Sequence, residues 1–125
     1  MIFQNNLYFI DSSTLEDGVW AYGIHLNPEH VIYSVHFPGE PITPGACILQ
    51  MAIELLSLSS DRKLEPSIVD NVKFLSPLTP DIQGITVRIK SETMDAGAVK
   101  SGIQIDVPGK CIAKLSIICQ TVLPD

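Results

Sequence analysis

The sequence predicts an α+β fold, a curved antiparallel sheet of about six strands wrapped round one central helix. Two observations predict it. Residues 46–58 form a nearly unbroken apolar run in which only Gln50, Glu54 and Ser57 are polar. At about 100° per residue these three share one narrow stripe, so such a helix needs cover on most of its sides. Around it lie segments in which apolar and polar residues alternate at strand period, joined by turns rich in glycine and proline.

Leu7 to Ile10 is a short apolar run, read as a strand that ends in turn chemistry at Asp11-Ser12-Ser13. Asp17-Gly18 is a hairpin dipeptide. After it Trp20, Tyr22, Ile24 and Leu26 alternate with Val19, Ala21, Gly23 and His25, and Asn27-Pro28 ends the strand. Gly23 in mid-strand implies a bulge or a close backbone approach. Residues 30–35 are a mixed connector without an assigned structure. From His36 to Gly45, three prolines and two glycines exclude helix and regular strand alike. Thr43 is placed to cap the helix that follows, and Pro44 to take its first position, where a missing N–H is no loss.

Beyond the helix, residues 59–63 are a polar exit loop. Ser67 to Leu75 reads as a strand with Ile68, Val72 and Phe74 on one face, and Pro77 to Asp81 as a proline-bounded turn. Ile85, Val87 and Ile89 alternate with Thr86, Arg88 and Lys90. Asp95-Ala96-Gly97 turns the chain, residues 99–107 alternate again, and Pro108-Gly109 is a type II turn dipeptide. Residues 110–122 make a last long strand with Cys111, Ala113, Leu115, Ile117 and Cys119 on one face.

A chain of 125 residues, 46% of them hydrophobic, fits one domain over residues 1–125. Cys47, Cys111 and Cys119 are odd in number and lie among apolar residues, the pattern of buried free thiols in a reducing compartment. The first ten residues have no basic flank and no apolar run approaches the roughly 20 residues of a membrane span, so the expectation is a cytoplasmic protein without a membrane partner. A net charge of −6 argues against nucleic-acid binding. Residues 1–61 carry seven acids and no Lys or Arg, whereas all eight basic residues fall in 62–125. That partition is either an ordinary solvated surface or a local basic patch for an acidic partner.

The ten residues from His36 to Gly45 form a rigid, irregular loop that begins with a histidine and aims a helix N-terminus at whatever that histidine faces. The pattern His36-Phe37-Pro38-Gly39-x-Pro41-x-x-Pro44-Gly45 resembles the active-site motif of the 3-hydroxyacyl-[acyl-carrier-protein] dehydratases of the hotdog superfamily. The resemblance extends over the helix and, more loosely, along most of the chain. It implies a hotdog fold, a homodimer with sheets joined edge to edge, an acyl carrier protein bearing a 3-hydroxyacyl thioester as partner, and no cofactor. In that family the histidine works with an acid fourteen positions further on, contributed by the other subunit. Here that position is Gln50. Val35 stands where the family usually has glycine before the histidine, and Asp81 follows Pro80 where a glycine is usual.

Dehydration of a 3-hydroxyacyl thioester needs a base for the C2 proton, a donor for the departing C3 hydroxyl, and stabilisation of charge on the thioester oxygen. His36 suits the first task, since imidazole titrates near neutral pH. The N–H groups at the helix start, Gly45 foremost, suit the third; Phe37, Pro44 and Glu54 join Gly45 as candidate substrate-binding residues. The second task is open, because Gln50 donates and accepts hydrogen bonds but delivers no proton. Gln50 orients a water or the hydroxyl while His36 alone moves the proton, or Glu54 is the acid one turn along, or the chain binds acyl thioesters without dehydrating them. A catalytically inactive partner subunit and a hotdog thioesterase therefore stand beside the dehydratase reading. His25, His30 and His36 lack ligand spacing with any cysteine or carboxylate set, so no metal is expected. Neither a phosphate-binding glycine loop nor a Gly-x-Ser-x-Gly element is present.

Overall fold

Helix α2 (Gly45–Ser60) is the axis of the molecule, and the other elements are arranged to cover it. The computed structural model describes residues 1–35 and 39–122. In chain order the remaining elements are β1 (Tyr8–Glu16), β2 (Val19–Leu26), the one-turn helix α1 (Ile32–Val35), β3 (Leu64–Phe74), β4 (Ile85–Thr93), β5 (Val99–Val107) and β6 (Lys110–Thr121). The six strands form one antiparallel sheet in the order β1-β2-β4-β5-β6-β3, so β3 crosses from the end of α2 to the far edge. The α+β architecture read from the alternating strands and the single apolar helix is the one observed.

One face of the sheet and most of the helix share a single apolar cluster. Tyr22, Ile24 and Leu26 of β2, Ile85, Val87 and Ile89 of β4, and Ile103 and Ile105 of β5 pack in it with Ile48, Met51, Leu55 and Leu56 of α2. Burying each such aliphatic side chain stabilises by about 1.5–3 kcal/mol, which is what holds sheet and helix together. Helix α2 ends at Asp61 in the left-handed conformation, with its N–H donating to the Leu58 carbonyl. The β1–β2 hairpin turns on Asp17 and Gly18, both at positive φ as a two-residue primed turn requires.

Several boundaries differ from the expectation. Asp11-Ser12-Ser13 is not a turn; β1 continues through it to Glu16, with a bulge at Asp11 between the paired Ile10 and Ser12. Turn-forming residues remain extended here because β2 supplies partners for them, and the bulge absorbs the misfit. Opposite that bulge, a Cβ on Gly23 would lie 2.5 Å from the Ser12 hydroxyl oxygen, the close approach the mid-strand glycine implied. Residues 32–35 form a helix, started by His30, whose Nδ1 accepts from the Ile32 N–H.

Strand β3 begins at Leu64, three residues before the expected start, and bulges at Ser67 and Asp70. The second bulge breaks the alternation that would put Ile68, Val72 and Phe74 on one face. Val72 packs against the core and Phe74, half exposed at the strand end, stays on its face over Gly45, whereas Ile68 pairs with Ile118 on the other face and is about half exposed. In β6 a further bulge turns Ile112 inward beside Ala113, so Cys111 is only partly buried and leaves the face on which Leu115, Ile117 and Cys119 are buried.

Candidate active site

The proline-rich loop is tied down before it enters α2. The hydroxyls of Thr43 and Tyr33 are hydrogen-bonded at 2.8 Å, with Thr43 only 3% exposed. The Thr43 N–H donates to the Leu78 carbonyl at 2.8 Å, which fastens the loop to the second proline-rich turn. Thr43 is therefore not the helix cap: its hydroxyl is committed to Tyr33, and Pro44 is the cap residue, extended at ψ 145 without a side-chain cap bond. Gly45, not Pro44, is the first helical residue. The Cys47 and Ile48 N–H groups donate to the Pro44 carbonyl, and those of Gly45 and Ala46 have no acceptor among the described residues.

At that helix start a groove of about 350 Å³ is lined by Ile42, Thr43, Gly45, Ile48, Phe74 and Leu78, among others. The Phe74 ring occupies the space a side chain would take at Gly45; a Cβ there would meet it at 2.8 Å. The glycine thus admits an aromatic ring over the helix start, and Phe74 is half exposed there. His36 and Phe37, the histidine and its neighbour in the motif, lie outside the described residues.

Two turns into α2 the polar stripe behaves unlike a solvated face. Glu54 is 2% exposed. Its Oε1 accepts from the Gln4 N–H at 2.9 Å and the Tyr8 hydroxyl at 3.2 Å; its Oε2 accepts from the Phe3 N–H at 3.1 Å and the Gln50 Nε2 at 3.1 Å. Ser57 is buried too, and its hydroxyl oxygen accepts from the Leu64 N–H where β3 begins. A buried carboxylate needs such partners, and the residues before β1 supply two backbone donors by lying across the helix. Burial, reinforced by the Glu54 carboxylate, pushes the Tyr8 phenol far above its ordinary value, so it stays a donor.

Gln50 is only partly buried and lines an open groove of about 520 Å³ with Met1, Ile53, Glu54 and the charged Asp61, Arg62 and Lys63. The structure thus brings Gln50 and Glu54 together, one turn apart on α2, and places Gly45 and Pro44 at the start of the same helix. Sequence reasoning missed the Phe3–Gln4–Tyr8 clasp on Glu54. A lone carboxylate in an apolar helix announces that donors must come, but not from where. The other histidines are engaged locally: His25 Nδ1 lies 2.7 Å from Asp11 with its ring stacked on Phe9, and His30 starts α1. Among the described residues no helix is long and apolar enough to cross a membrane.

Comparison with known proteins gives the family of this arrangement. A sequence profile of the ApeI-like family, described as ApeI dehydratase, matches residues 12–101. The chain is similar to the 3-hydroxyacyl-[acyl-carrier-protein] dehydratase FabZ of Polynucleobacter necessarius subsp. necessarius (strain STIR1), 31% identical over 91 residues, covering 67% of this chain and 60% of that protein. The FabZ of Klebsiella pneumoniae subsp. pneumoniae is 32% identical over 94 residues. The chain thus spans about 60% of the length of the curated relatives it matches. Among solved structures it is similar to the dehydratase heterocomplex ApeI:P from Xenorhabdus doucetiae, with a TM-score of 0.70 at 18% identity, covering 90% of this chain and 97% of that one. It is also similar to the putative thioesterase yhdA from Lactococcus lactis, with a TM-score of 0.66 at 12% identity over 96% of this chain and 95% of that one. These neighbours establish the hotdog fold.

The buried phenols and thiols make stability depend on alkaline pH. Burial raises Tyr8 and Tyr33 above the ordinary phenol value of 10.0, and Cys47 and Cys119 above the ordinary thiol value of 9.0. Below those ordinary values folded and unfolded chains hold the same protons, and the contribution is complete. As pH rises past them the unfolded chain alone releases protons and is favoured, so the contribution is lost on the way to the raised folded values. The urea midpoint should stay level up to about pH 8 and fall through the thiol and then the phenol range. Tyr8→Phe should flatten the phenol part of the fall; an unchanged profile in that variant would show that the Tyr8 proton is not at stake.

Proposed function

Because the chain belongs to the ApeI-like dehydratase family, we propose that it removes water from 3-hydroxyacyl thioesters on an acyl carrier protein, giving trans-2-enoyl thioesters in fatty-acid or related acyl-chain synthesis in the cytoplasm. The observation that carries this reading is the division of labour between the two polar residues of α2. Both border one open groove, but Glu54 is 2% exposed and committed to the donors of Phe3, Gln4 and Tyr8, whereas Gln50, fourteen positions after His36, is partly exposed there. This supports a reading in which substrate meets position 50, the one from which the family delivers its acid, and not Glu54.

The elimination then runs through one proton carrier. The imidazole of His36 takes the C2 proton, the electron pair moves to form the C2–C3 double bond, and the C3–O bond breaks. The leaving oxygen collects that same proton from the imidazolium and departs as water, so protons and electrons balance. Gln50 holds the hydroxyl. The Gly45 N–H, at the positive end of α2, meets the charge growing on the thioester oxygen once the Phe74 ring swings aside. Phe37 and Pro44 wall the acyl chain beside it.

A homodimer completes the site, with His36 of one copy facing Gln50 of the other. The edge strand β3 supports this: eleven residues long, with Ile68 and Val69 exposed, it offers unpaired backbone for a second sheet. The carrier docks at Arg62 and Lys63, since these two cations border the groove that holds Gln50. The cations of the outer sheet face, Lys90 and Lys114, border a different groove across the sheet. A thioesterase reading is weaker, because the helix carboxylate it would use, Glu54, is fully engaged. One observation favours an alternative: without an acid at position 50 the chain is suited to serve as an acyl-binding partner subunit, and the similar Xenorhabdus protein is a dehydratase heterocomplex.

Purified protein with 3-hydroxyacyl- and trans-2-enoyl-carrier thioesters, followed by mass spectrometry in both directions, tests the reaction. His36→Ala should abolish turnover, and Gln50→Ala should cost roughly 10- to 100-fold, the scale of one positioned hydrogen bond. Gln50→Glu should leave activity equal or higher, because it restores the family's acid and a proton donor is worth about 10²-fold or more. Dehydration seen only in Gln50→Glu would make the natural protein the acyl-binding subunit. Light scattering should give twice the chain mass at micromolar concentration, and a monomer there would refute the shared site. Charge reversal of Arg62 and Lys63 should weaken carrier binding most at low salt, while reversal of Lys90 and Lys114 leaves it unchanged; the opposite pattern moves the docking face to the outer sheet.

A further inference from the structure

We propose that Glu54 is a positioning residue that turns the Gln50 amide so that its carbonyl oxygen, Oε1, faces the groove as the hydrogen-bond acceptor for a substrate 3-hydroxyl; the identity of that ligand rests on the dehydratase reading above. An ionised carboxylate only accepts hydrogen bonds. The Gln50 amide must therefore present its nitrogen to Glu54, and Nε2 does donate to Oε2 at 3.1 Å. The arrangement cannot reverse by a joint flip, because Glu54 is itself held by fixed donors. The Phe3 and Gln4 N–H groups are main-chain and have no acceptor to offer in exchange, and the Tyr8 hydroxyl completes the set.

Direction therefore passes one way, from the N-terminal residues through Glu54 to Gln50. The amide oxygen lies on the opposite branch of the amide plane from the bonded N–H. Gln50 is partly exposed at the groove wall, whereas Glu54 is 2% exposed. Donation to a carboxylate also polarises the amide and strengthens its oxygen as an acceptor. Such an oxygen selects among acyl groups. A 3-hydroxyl donates to it, whereas a 3-oxo group brings only lone pairs and leaves both oxygens without a proton between them. Glu54 thereby sets, through Gln50, which oxidation level at C3 the groove accepts.

The probes are pantetheine amides carrying a 3-hydroxyacyl or a 3-oxoacyl group of equal length, which bind without reacting. The intact protein should bind the 3-hydroxy probe about tenfold more tightly, the scale of one hydrogen bond. In Glu54→Gln the new amide turns its oxygen to the Phe3, Gln4 and Tyr8 donors and its nitrogen to Gln50, which must then rotate, so the preference should vanish or invert. A folded Glu54→Gln protein that keeps the wild-type preference overturns the proposal. A second measurement needs no variant that might fail to fold: the side-chain N–H₂ signals of ¹⁵N-labelled Gln50 in the unliganded protein, identified by their loss in Gln50→Ala. One of the two protons should be protected from exchange. Two freely exchanging protons refute the positioning whatever binds, whereas a protected proton with no affinity for either probe supports the positioning and refutes the dehydratase substrate class instead.

Discussion

A carboxylate inside an apolar helix must be met by donors or the helix cannot be buried, and that single requirement organises one side of this molecule. Leaving such a group unpaired in the interior costs several kcal/mol, about the size of a domain's net stability. Glu54 escapes that cost because the residues preceding β1 lie across α2 and point two backbone N–H groups at it, with the Tyr8 hydroxyl beside them. Covering the helix and pairing its charge are one event. The same contact brings the first residues of the chain to the rim of the groove that Gln50 lines, with Met1 among its walls.

The start of α2 is held by a different device. No side chain caps it; instead the entry loop is anchored on both sides, by the Thr43–Tyr33 hydroxyl pair and by the Thr43 N–H on the Leu78 carbonyl. Two proline-bearing stretches, residues 41–44 and the turn at residues 77–78, are thus locked together, and the first amides of the helix are left with no acceptor among the described residues. Proline removes competing donors from the loop, and glycine at position 45 lets an aromatic ring approach the helix backbone. A helix end left open in this way is suited to receive developing negative charge.

These two devices sit on one helix, an open start at Gly45 and the Gln50–Glu54 pair further along. The β3 edge of the sheet bears the exposed apolar residues Ile68 and Val69. Charge is sorted as well: Arg62 and Lys63 stand at the groove with Gln50, while Arg88, paired with Asp106 at 2.6 Å, and Lys90 and Lys114 occupy the opposite face of the sheet. The basic half of the chain therefore splits between a groove where Arg62 and Lys63 stand beside Asp61 and Glu54, and an outer-face groove with Arg88, Lys90 and Lys114.

By itself the sequence determined the α+β class, the central helix, the strand limits at residues 99–107 and the Asp17-Gly18 turn, because period, apolar content and turn residues act locally. The motif beginning at His36 pointed to the dehydratase family in the same local way, through residue types at fixed spacing. Only tertiary structure decided the cap of α2, the course of β1 through Asp11-Ser12-Ser13, and the bulges of β3 and β6. In each of those places a local preference competed with a partner from far along the chain, and the partner prevailed. Glu54 is the clearest instance. Its pattern on α2 is that of a solvated stripe, and nothing within a few residues of it says otherwise. The donors that bury it stand about fifty positions earlier, so its role exists only once the chain has folded back on itself.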